Sequence, residues 1–468
     1  MKRVAVFVAL TSALLLVLAL SNGRGFEAPQ AEAATTTWIW PPGPGGYPVN
    51  AGAALENTES FLPPACTNCW ITRIEPDLIY QDDPNHTDGT SANFNADSTL
   101  NGIWLHHFVI VDGCNPAYRV ISSGNERSIV QYPSGYGYFQ SGSCGNPTWY
   151  LNYHIHNSGI NTRTVAIRLN VTYQTTPLAT ATPIWLDIST APDSEYIVPA
   201  GDPGVPYYDH KHTGDAGMHA DYTMSIQGEI IGMGGHVHDY GYGVSAFNTG
   251  AGDRPDDWIC TSVAGYGSGS RYLPTGGPGT PGHPAAANAV TLNHAYHQPD
   301  TPDDRYHIQS MTPCSVTERM SVICPGDVIR LHSQYKNPDL NPIPDAMAIM
   351  VAYVATPPNV PDADNDGTFD GCDTSDSDGD LFSDRVEYMS GNQANDACRD
   401  NSTDPAWPAD ITNNGFVDTA DIAFLTADFS LSVPPEETRH NIAPDPLPSI
   451  FIDTADISRL TSRFGDGC

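Results

Sequence analysis

Hydrophobic and polar residues alternate in short runs along most of the chain between residues 50 and 356. Clear examples are residues 70–74, 107–111 and 164–171, and Gly, Pro and Asn bound many of these runs. A period of two residues is typical of β-strands that are buried on one face. No segment in 35–356 has a sustained helical period, so the pattern predicts a mainly β fold.

The alternating pattern divides into two blocks. A connection at residues 175–183 separates the first block from a second that closes with the apolar run 346–354. Two tandem β-sandwich domains, jelly-roll-like, account for this division better than one large barrel. The predicted segments are a signal peptide (1–33), a Pro/Gly-rich lead (34–54), a first sandwich (55–178), a second sandwich (179–356), an acidic calcium-binding linker (357–407) and a small α-helical calcium-binding module (408–468).

The net charge excludes some partners. The chain of 468 residues carries a formal charge of −34, and about half of it lies in residues 357–468. A protein this acidic is not expected to bind nucleic acid or an anionic membrane by bulk electrostatics. The tail is expected to have chemistry of its own.

The N-terminus predicts export. Residues 1–3 are a basic start, residues 4–20 are apolar, and a small-x-small site ends at Ala33. This is the pattern of a secretory signal peptide, with an uncleaved anchor as the alternative. We expect a secreted or cell-surface protein with no membrane span after cleavage.

All ten cysteines follow this segment. An even number of cysteines in an exported chain favours disulfide bonds over thiolate metal sites. A zinc or redox role for the Cys66-x-x-Cys69 pair is the alternative.

The acidic linker carries two calcium-loop patterns. Acids at alternate positions of a tight turn converge their oxygens on one hard cation. The second loop has Leu381 where glycine is usual, which weakens its turn, and a solvated acidic linker remains the alternative. The predicted calcium ligands are Asp362, Asp364, Asp366 and Asp370 in the first loop, and Asp376, Asp378, Asp380, Asp384 and Glu387 in the second.

A repeat follows in the tail. The sequence of residues 417–422 recurs almost unchanged at 452–457, and each copy continues into a short amphipathic segment. The pair resembles a dockerin, which implies two calcium loop–helix units and a cohesin-like protein partner. The implied ligands are Asp410, Thr412, Asn414, Asp418 and Asp421 in the first unit, and Asp453 and Asp456 in the degenerate second unit.

Three groups of histidines lie in the β-rich blocks. They are His106-His107, His154-x-His156 and His236-x-His238. Residues i and i+2 of a strand face the same side, so an H-x-H pair can chelate one metal ion. Adjacent histidines point apart unless a strand end or a β-bulge redirects one of them.

In this order the histidine groups resemble the copper type II, ascorbate-dependent monooxygenases. The resemblance implies one copper site at His106, His107 and His156, and a second at His236, His238 and Met347, with ascorbate as the reductant. It implies hydroxylation of a substrate C–H bond with O₂. The substrate, a small molecule or a peptide, is not carried over.

Ligand chemistry bears on the metal. Imidazole suits several transition metals, and a thioether favours Cu(I) over zinc. The competing interpretation of Met347 is ordinary core packing. Two other functions stay open: a non-catalytic copper- and calcium-binding surface protein attached through its dockerin-like tail, and a zinc hydrolase with Asp239 beside His238.

Overall fold

A computed structural model describes most of the chain after the predicted signal peptide. Residues 1–32, which are all of the predicted signal peptide except its last residue, lie outside the described part. The described residues are 33–41, 45–61, 68–81, 103–116, 118–126, 128–141, 149–189, 195–198, 207–209, 221–239, 241–248, 257–266, 308–311, 322–336, 342–398, 405–431, 440, 442–443 and 452–467.

The described chain is mainly β, as the alternating pattern predicts. The strands of its first half are β1 (Ala34–Trp40), β2 (Tyr47–Val49), β3 (Ala53–Phe61), β4 (Cys69–Tyr80), β5 (Ile103–Asp112), β6 (Arg119–Ser123), β7 (Val130–Gln131), β8 (Tyr136–Gln140), β9 (Trp149–Asn157) and β10 (Arg163–Gln174). Those of its second half are β11 (Ala179–Asp187), β12 (Glu195–Val198), β13 (Tyr207–Asp209), β14 (Asp221–Thr223), β15 (Gly228–Val237), β16 (Gly241–Asn248), β17 (Asp257–Tyr266), β18 (Ile308–Met311), β19 (Val322–Ile323), β20 (Val328–Lys336) and β21 (Ile343–Ala355).

The first half folds as two facing sheets. One sheet has the strand order β3-β9-β5-β6, and the other contains β1-β10-β4-β8. Alternate residues of β9 are buried between them, among them Trp149, Tyr153 and Ile155. The residues between these positions face outward, and they include His154 and His156.

The second half repeats this plan. A six-stranded sheet, β13-β20-β16-β17-β18 with β14 at its side, faces the strands β11-β21-β15-β19. A second apolar core lies between them, with Leu331, Met350 and Val354 fully buried. Several packed sheets of this kind agree with the predicted β-sandwich architecture, and the jelly-roll connectivity stays a prediction.

The two halves share a sheet. Ala179 and Thr180 of β11 pair in parallel with Tyr136 and Gly137 of β8, which joins the strands of both halves into one eleven-stranded sheet. β11 starts at the predicted domain boundary, so the chain crosses that boundary without leaving the sheet.

Among the described residues, α-helices occur only in the acidic tail. They are α1 (Asp384–Ser390), α2 (Thr419–Ala427) and α3 (Thr454–Thr461). α2 and α3 begin with the same capping box, because Asp418 and Asp453 each cap the helix that follows. Their inner residues Leu425 and Leu460 share a small third core. No helix in the described part is both long enough and apolar enough to cross a bilayer.

Disulfide bonding is confirmed where it can be followed. Cys324 and Cys372 are bonded to each other and connect the end of β19 to the acidic tail. The other described cysteines, Cys69, Cys114, Cys260 and Cys398, are also disulfide-bonded. Cys66, and with it the suggested Cys66-x-x-Cys69 metal site, lies outside the described residues.

Candidate metal centre

Strand β9 presents two histidines on one face. His154 and His156 lie on the side opposite the first core, because they alternate with buried Tyr153 and Ile155. The ring centroids of the two histidines are 4.3 Å apart. Trp104 stacks on His156 at 4.8 Å and forms one edge of the site.

A β-bulge brings both adjacent histidines to this face. In the pairing of β5 with β9, Leu105 lies opposite Ile155 and His107 lies opposite His154, so His106 is the additional residue. A bulge turns one side chain out of the strict alternation. The Nδ1 atoms of His106 and His107 consequently lie 3.1 Å apart.

The second half of the chain contributes two more imidazoles. His236 and His238 lie at the end of β15, and both are buried. The ring of His238 is 4.0 Å from that of His106 and stacks parallel to that of His107 at 6.2 Å. The contact between the two halves is therefore lined by imidazoles from both of them.

Six histidines form this group, which we call the histidine cluster: His106, His107, His154, His156, His236 and His238. Two sets of donor atoms within it are close enough to hold a metal ion. One is His106 with His154 and His156, and the other is His106 with His107 and His238; in each, the atoms lie within 4.8 Å of one another. His106 belongs to both sets and is the centre of the cluster.

The environment of the cluster keeps the imidazoles of His106 and His107 neutral. Burial, reinforced by the neighbouring His238, holds the pKa of His106 far below its usual value. Burial and the nearby His236 lower the pKa of His107 to about 3. Neutral imidazole is the form that binds a metal ion.

A buried carboxylate orients His236. Nδ1 of His236 donates to Glu126 Oε1 at 2.9 Å, and the same oxygen accepts from the amide of Gly124 at 2.7 Å. Because a carboxylate only accepts, the proton of this imidazole is on Nδ1. Nε2 of His236 is buried and makes no hydrogen bond, which leaves it free to be a ligand.

Met347 lies beside His238 rather than in the second core. Ala346, Ala348 and Met350 of β21 belong to that core, so Met347 alternates to the opposite face of the strand. The backbone amide of His238 donates to the carbonyl oxygen of Met347 at 3.3 Å. The backbone of Met347 is therefore adjacent to that of His238.

The structure groups the histidines into other donor sets than the two copper sites that the resemblance implies. The two copper sites implied by sequence were His106/His107/His156 and His236/His238/Met347, one in each half. In the structure His238 joins His106 and His107, and His154, which the resemblance left out, joins His106 and His156. The H-x-H spacing on a strand is the signal that could have identified His154. Asp239, the residue after His238, accepts from the amide of Ile308.

All of the predicted calcium ligands except Asp453 and Asp456 lie in three loops with a common backbone. We name them loop 362–370, loop 376–387 and loop 410–421. In each, the first acid accepts from the amide of the sixth residue: Gly367 to Asp362, Leu381 to Asp376, and Gly415 to Asp410. The sixth residue has a positive φ in every loop, including Leu381 at 77°. The first three acids converge in both linker loops, Asp362 with Asp364 and Asp366, and Asp376 with Asp378 and Asp380.

The remaining predicted calcium ligands are mostly engaged with the protein itself. Asp370 accepts from Ala363, and Asp384 accepts from both the amide and the hydroxyl of Ser377. Asp421 and Asp456 each accept two backbone amides with their two oxygens, while Thr412 and Asn414 bond to each other. Asp418 and Asp453 are helix caps. Glu387 differs, because it is fully buried and neither of its carboxylate oxygens has a partner.

No protein-family model and no curated protein matches the chain. Solved structures that match include peptide N-glycanase F, a glycosylasparaginase from Flavobacterium meningosepticum, at 7% identity, 69% coverage of this chain, 97% of that chain and a TM-score of 0.33. The major capsid protein P2 of bacteriophage PM2 matches at 10% identity, with 69% and 97% coverage and a TM-score of 0.25. A chain of Sulfolobus turreted icosahedral virus matches at 11% identity, with 70% and 92% coverage and a TM-score of 0.27.

The expected family is wrong. The matching structures named above are a glycosylasparaginase and viral proteins rather than copper monooxygenases, and no family model and no curated protein supports the resemblance. The expected ascorbate-dependent monooxygenase activity and the expected membership of the dockerin family are wrong as well. Similarity at these TM-scores transfers no activity from the matched structures to this chain.

Proposed function

We propose that this protein binds copper ions in the histidine cluster and acts as a non-catalytic metal-binding protein outside the cell. The observation that carries the proposal is the convergence of six imidazoles from three strands at the contact between the two halves. A cluster of this size in a chain with 16 histidines is difficult to explain as packing. Imidazole rings that serve only as core residues need hydrogen-bond partners for their nitrogens.

The donors fit a transition metal. His106, His236 and His238 are buried, and Nε2 of His236 has no hydrogen bond that a ligand bond would have to replace. Glu126 holds His236 by its other nitrogen, which is how a second layer of residues orients a metal-binding histidine. The histidine cluster would hold the ion at the contact between the two halves of the chain.

The donor types favour copper. The described cysteines are all disulfide-bonded, so they supply no thiolate. Six imidazoles and the thioether of Met347 remain, and that combination suits copper better than the oxygen-preferring Mg²⁺ or Ca²⁺. Zinc, which also accepts imidazole, is the competitor that the experiment must separate from copper.

Metal content after loading tests the proposal. The full chain is loaded with Cu(II) or Zn(II), dialysed and analysed for metal, alone and with both ions in competition. We expect at least one copper ion per chain, because each donor set supplies three imidazoles and the two sets share His106. Copper should displace zinc, following the usual order of affinities for nitrogen ligands.

Three variants locate the ions. His106→Ala should lose more copper than other single histidine replacements, because His106 belongs to both donor sets. His154→Ala should lose part of the copper. His332→Ala, on β20 in the six-stranded sheet, is the control and should bind as the wild type does. If the wild type binds no copper, or if His106→Ala and His332→Ala bind equally, the cluster is not the site.

We propose that the C-terminal unit, which contains loop 410–421 and helices α2 and α3, attaches the protein to a protein partner. Phe416, Phe424, Phe429 and Phe464 are all more than two-fifths exposed there. Large exposed aromatic side chains are common at protein interfaces. Phe424→Ser should release the protein from the surface of the cells that secrete it. Ile160→Ser, at a still more exposed apolar position on the β body (strands β1–β21), should not. Equal retention of both variants would contradict this role.

A further inference from the structure

Glu387 is a buried acid with no partner in the protein. It lies in α1 at the end of loop 376–387, its side chain is fully buried, and both carboxylate oxygens lack hydrogen bonds. One carboxylate oxygen each of Asp378 and Asp380 is also buried without a partner. Unpaired buried carboxylates are costly, and they are usual only where a cation completes the site.

The acids around Glu387 increase that cost. Burial, followed by repulsion from Asp380 and Asp378, raises the pKa of Glu387 to about 10. Burial also raises the pKa of Asp380 to about 7, and Asp378 adds to the shift. Two acids of this loop therefore resist ionisation in the absence of positive charge.

Glu387 also differs from the corresponding acids of the C-terminal unit. Asp421 and Asp456 occupy the same place relative to their loops, but each is satisfied by two backbone amides. The longer side chain of Glu387 accepts no hydrogen bond from a backbone amide. Its carboxylate is close enough to Asp380, Asp378 and Asp376 for their charges to raise its pKa. It also lies at position 12 of the loop, which is the position of the bidentate glutamate in a calcium loop.

Loop 376–387 is also where two parts of the molecule meet. On one side, Met389 belongs to the core of the first half, and the Cys324–Cys372 disulfide ties the preceding segment to β19. On the other side, Phe382 belongs to the core of the C-terminal unit. Arg459 of α3 donates to the carbonyl oxygen of Leu381 at 2.7 Å, and its guanidinium covers the ring of Phe382 at 4.7 Å.

We propose that Asp376, Asp378, Asp380 and Glu387 bind one calcium ion, and that this ion fixes the C-terminal unit to the β body. Oxygen donors with two to four negative charges select a hard divalent cation, and the irregular, partly solvated loop suits the flexible coordination of calcium better than the strict octahedron of magnesium. Removal of the ion leaves like charges together at the joint, so the contact of Arg459 with the loop should loosen.

The test uses the full chain, freed of metal with a chelator and titrated with Ca²⁺ or Mg²⁺. Calcium should slow amide hydrogen exchange at residues 376–387 and 454–461, and magnesium at the same concentration should not. Glu387→Gln should weaken this calcium site at least about tenfold, because the variant keeps the shape but loses the charged ligand. Glu75→Gln, a half-buried glutamate of β4, is the matched control.

The stability of the chelated protein separates a ligand from a structural residue. Without calcium, Glu387→Gln should melt no lower than the wild type, because it removes an unpaired buried acid. With calcium, the wild type should melt higher than the variant. If Glu387→Gln does not fold, Asp378→Asn, which is half-buried, gives the same comparison. The proposal would be overturned if calcium raised the melting temperature of the wild type and of these variants equally, or if it raised neither.

Discussion

The hydroxyl of Tyr335 accepts a hydrogen bond from the backbone amide of His238 at 2.9 Å. The same hydroxyl accepts from the amide of Met347 at 3.1 Å and donates to its carbonyl oxygen at 2.5 Å. Tyr335 is buried in β20, on the other sheet of the second half. One phenol therefore connects the ends of the two strands that carry His238 and Met347.

Tyr335→Phe should loosen the histidine cluster. The substitution leaves the buried amide of Met347 without a partner, at a cost of about 1–3 kcal/mol in the free energy of unfolding. Copper affinity should fall as well, because His238 is no longer held in place. Denaturant unfolding and copper titration measure the two effects.

Tyr353→Phe is the control for this prediction. The hydroxyl of Tyr353 is also buried and donates to the carbonyl oxygen of Val120 at 3.2 Å. Its loss should lower stability without changing copper affinity. If both variants keep the affinity of the wild type, the hydroxyl of Tyr335 has a packing role only.

Gly124 and Gly234 form a matched pair beside His236. A Cβ at Gly124 would lie 2.6 Å from the carbonyl oxygen of His106 and 2.8 Å from the His236 ring, whereas a Cβ at Gly234 would meet nothing within 4 Å. Gly124→Ala should therefore separate the histidines and cost about 1–3 kcal/mol of stability. Gly234→Ala should keep both stability and copper. Equal copper binding by the two variants would show that the close approach at Gly124 does not shape the site.

Met347→Leu tests the thioether. Leucine has nearly the volume of methionine, so the change should cost less than about 1.5 kcal/mol as a packing substitution. If Met347 contacts the copper, the sulfur contribution to the X-ray absorption spectrum of the reduced protein should disappear. Met350→Leu, in the second core on the opposite face of β21, should leave the spectrum unchanged. If the spectrum of the wild type shows no sulfur contribution, Met347 is an ordinary packing residue.

Leu381→Gly should strengthen loop 376–387. Leu381 has a φ of 77° and an exposed side chain, so it bears the strain of the left-handed region with little packing in return. Glycine relieves that strain and gives a net gain of about 1 kcal/mol after its own entropy cost. The melting temperature of the calcium-loaded protein should rise. Leu381→Ala removes most of the same side chain but keeps Cβ, so it should give no comparable rise.

Local pattern predicted the strands and part of the histidine site. The alternation of residues 149–157 fixes which side of β9 faces the core, and that rule alone places His154 and His156 together. The need for a bulge at the adjacent pair also followed from strand geometry, and it occurs at His106.

The remainder of the site depends on contacts between distant segments. Glu126 lies in a turn after β6, and no local pattern connects it to His236, 110 residues later. The donor sets that cross from β5 to His238 arise from the contact between the two halves. Leu381 adopts a left-handed backbone against its preference because the burial of Phe382 and the bond from Arg459 hold the loop. Such contacts are tertiary, and residue periodicity does not record them.

Strand β21 pairs with β11, β12 and β15, and its two faces belong to different cores: Met350 and Val354 to the second, Val351 and Tyr353 to the first. The first core therefore loses a wall when the chain is divided between residues 178 and 179, and the face of β21 that carries Val351 and Tyr353 loses its cover. A fragment ending at 178 would expose the apolar surface that Tyr353 covers, and it should aggregate when expressed alone. The intact protein should consequently absorb heat in one cooperative transition across both halves, and a gene that encodes either half by itself should not yield a functional product.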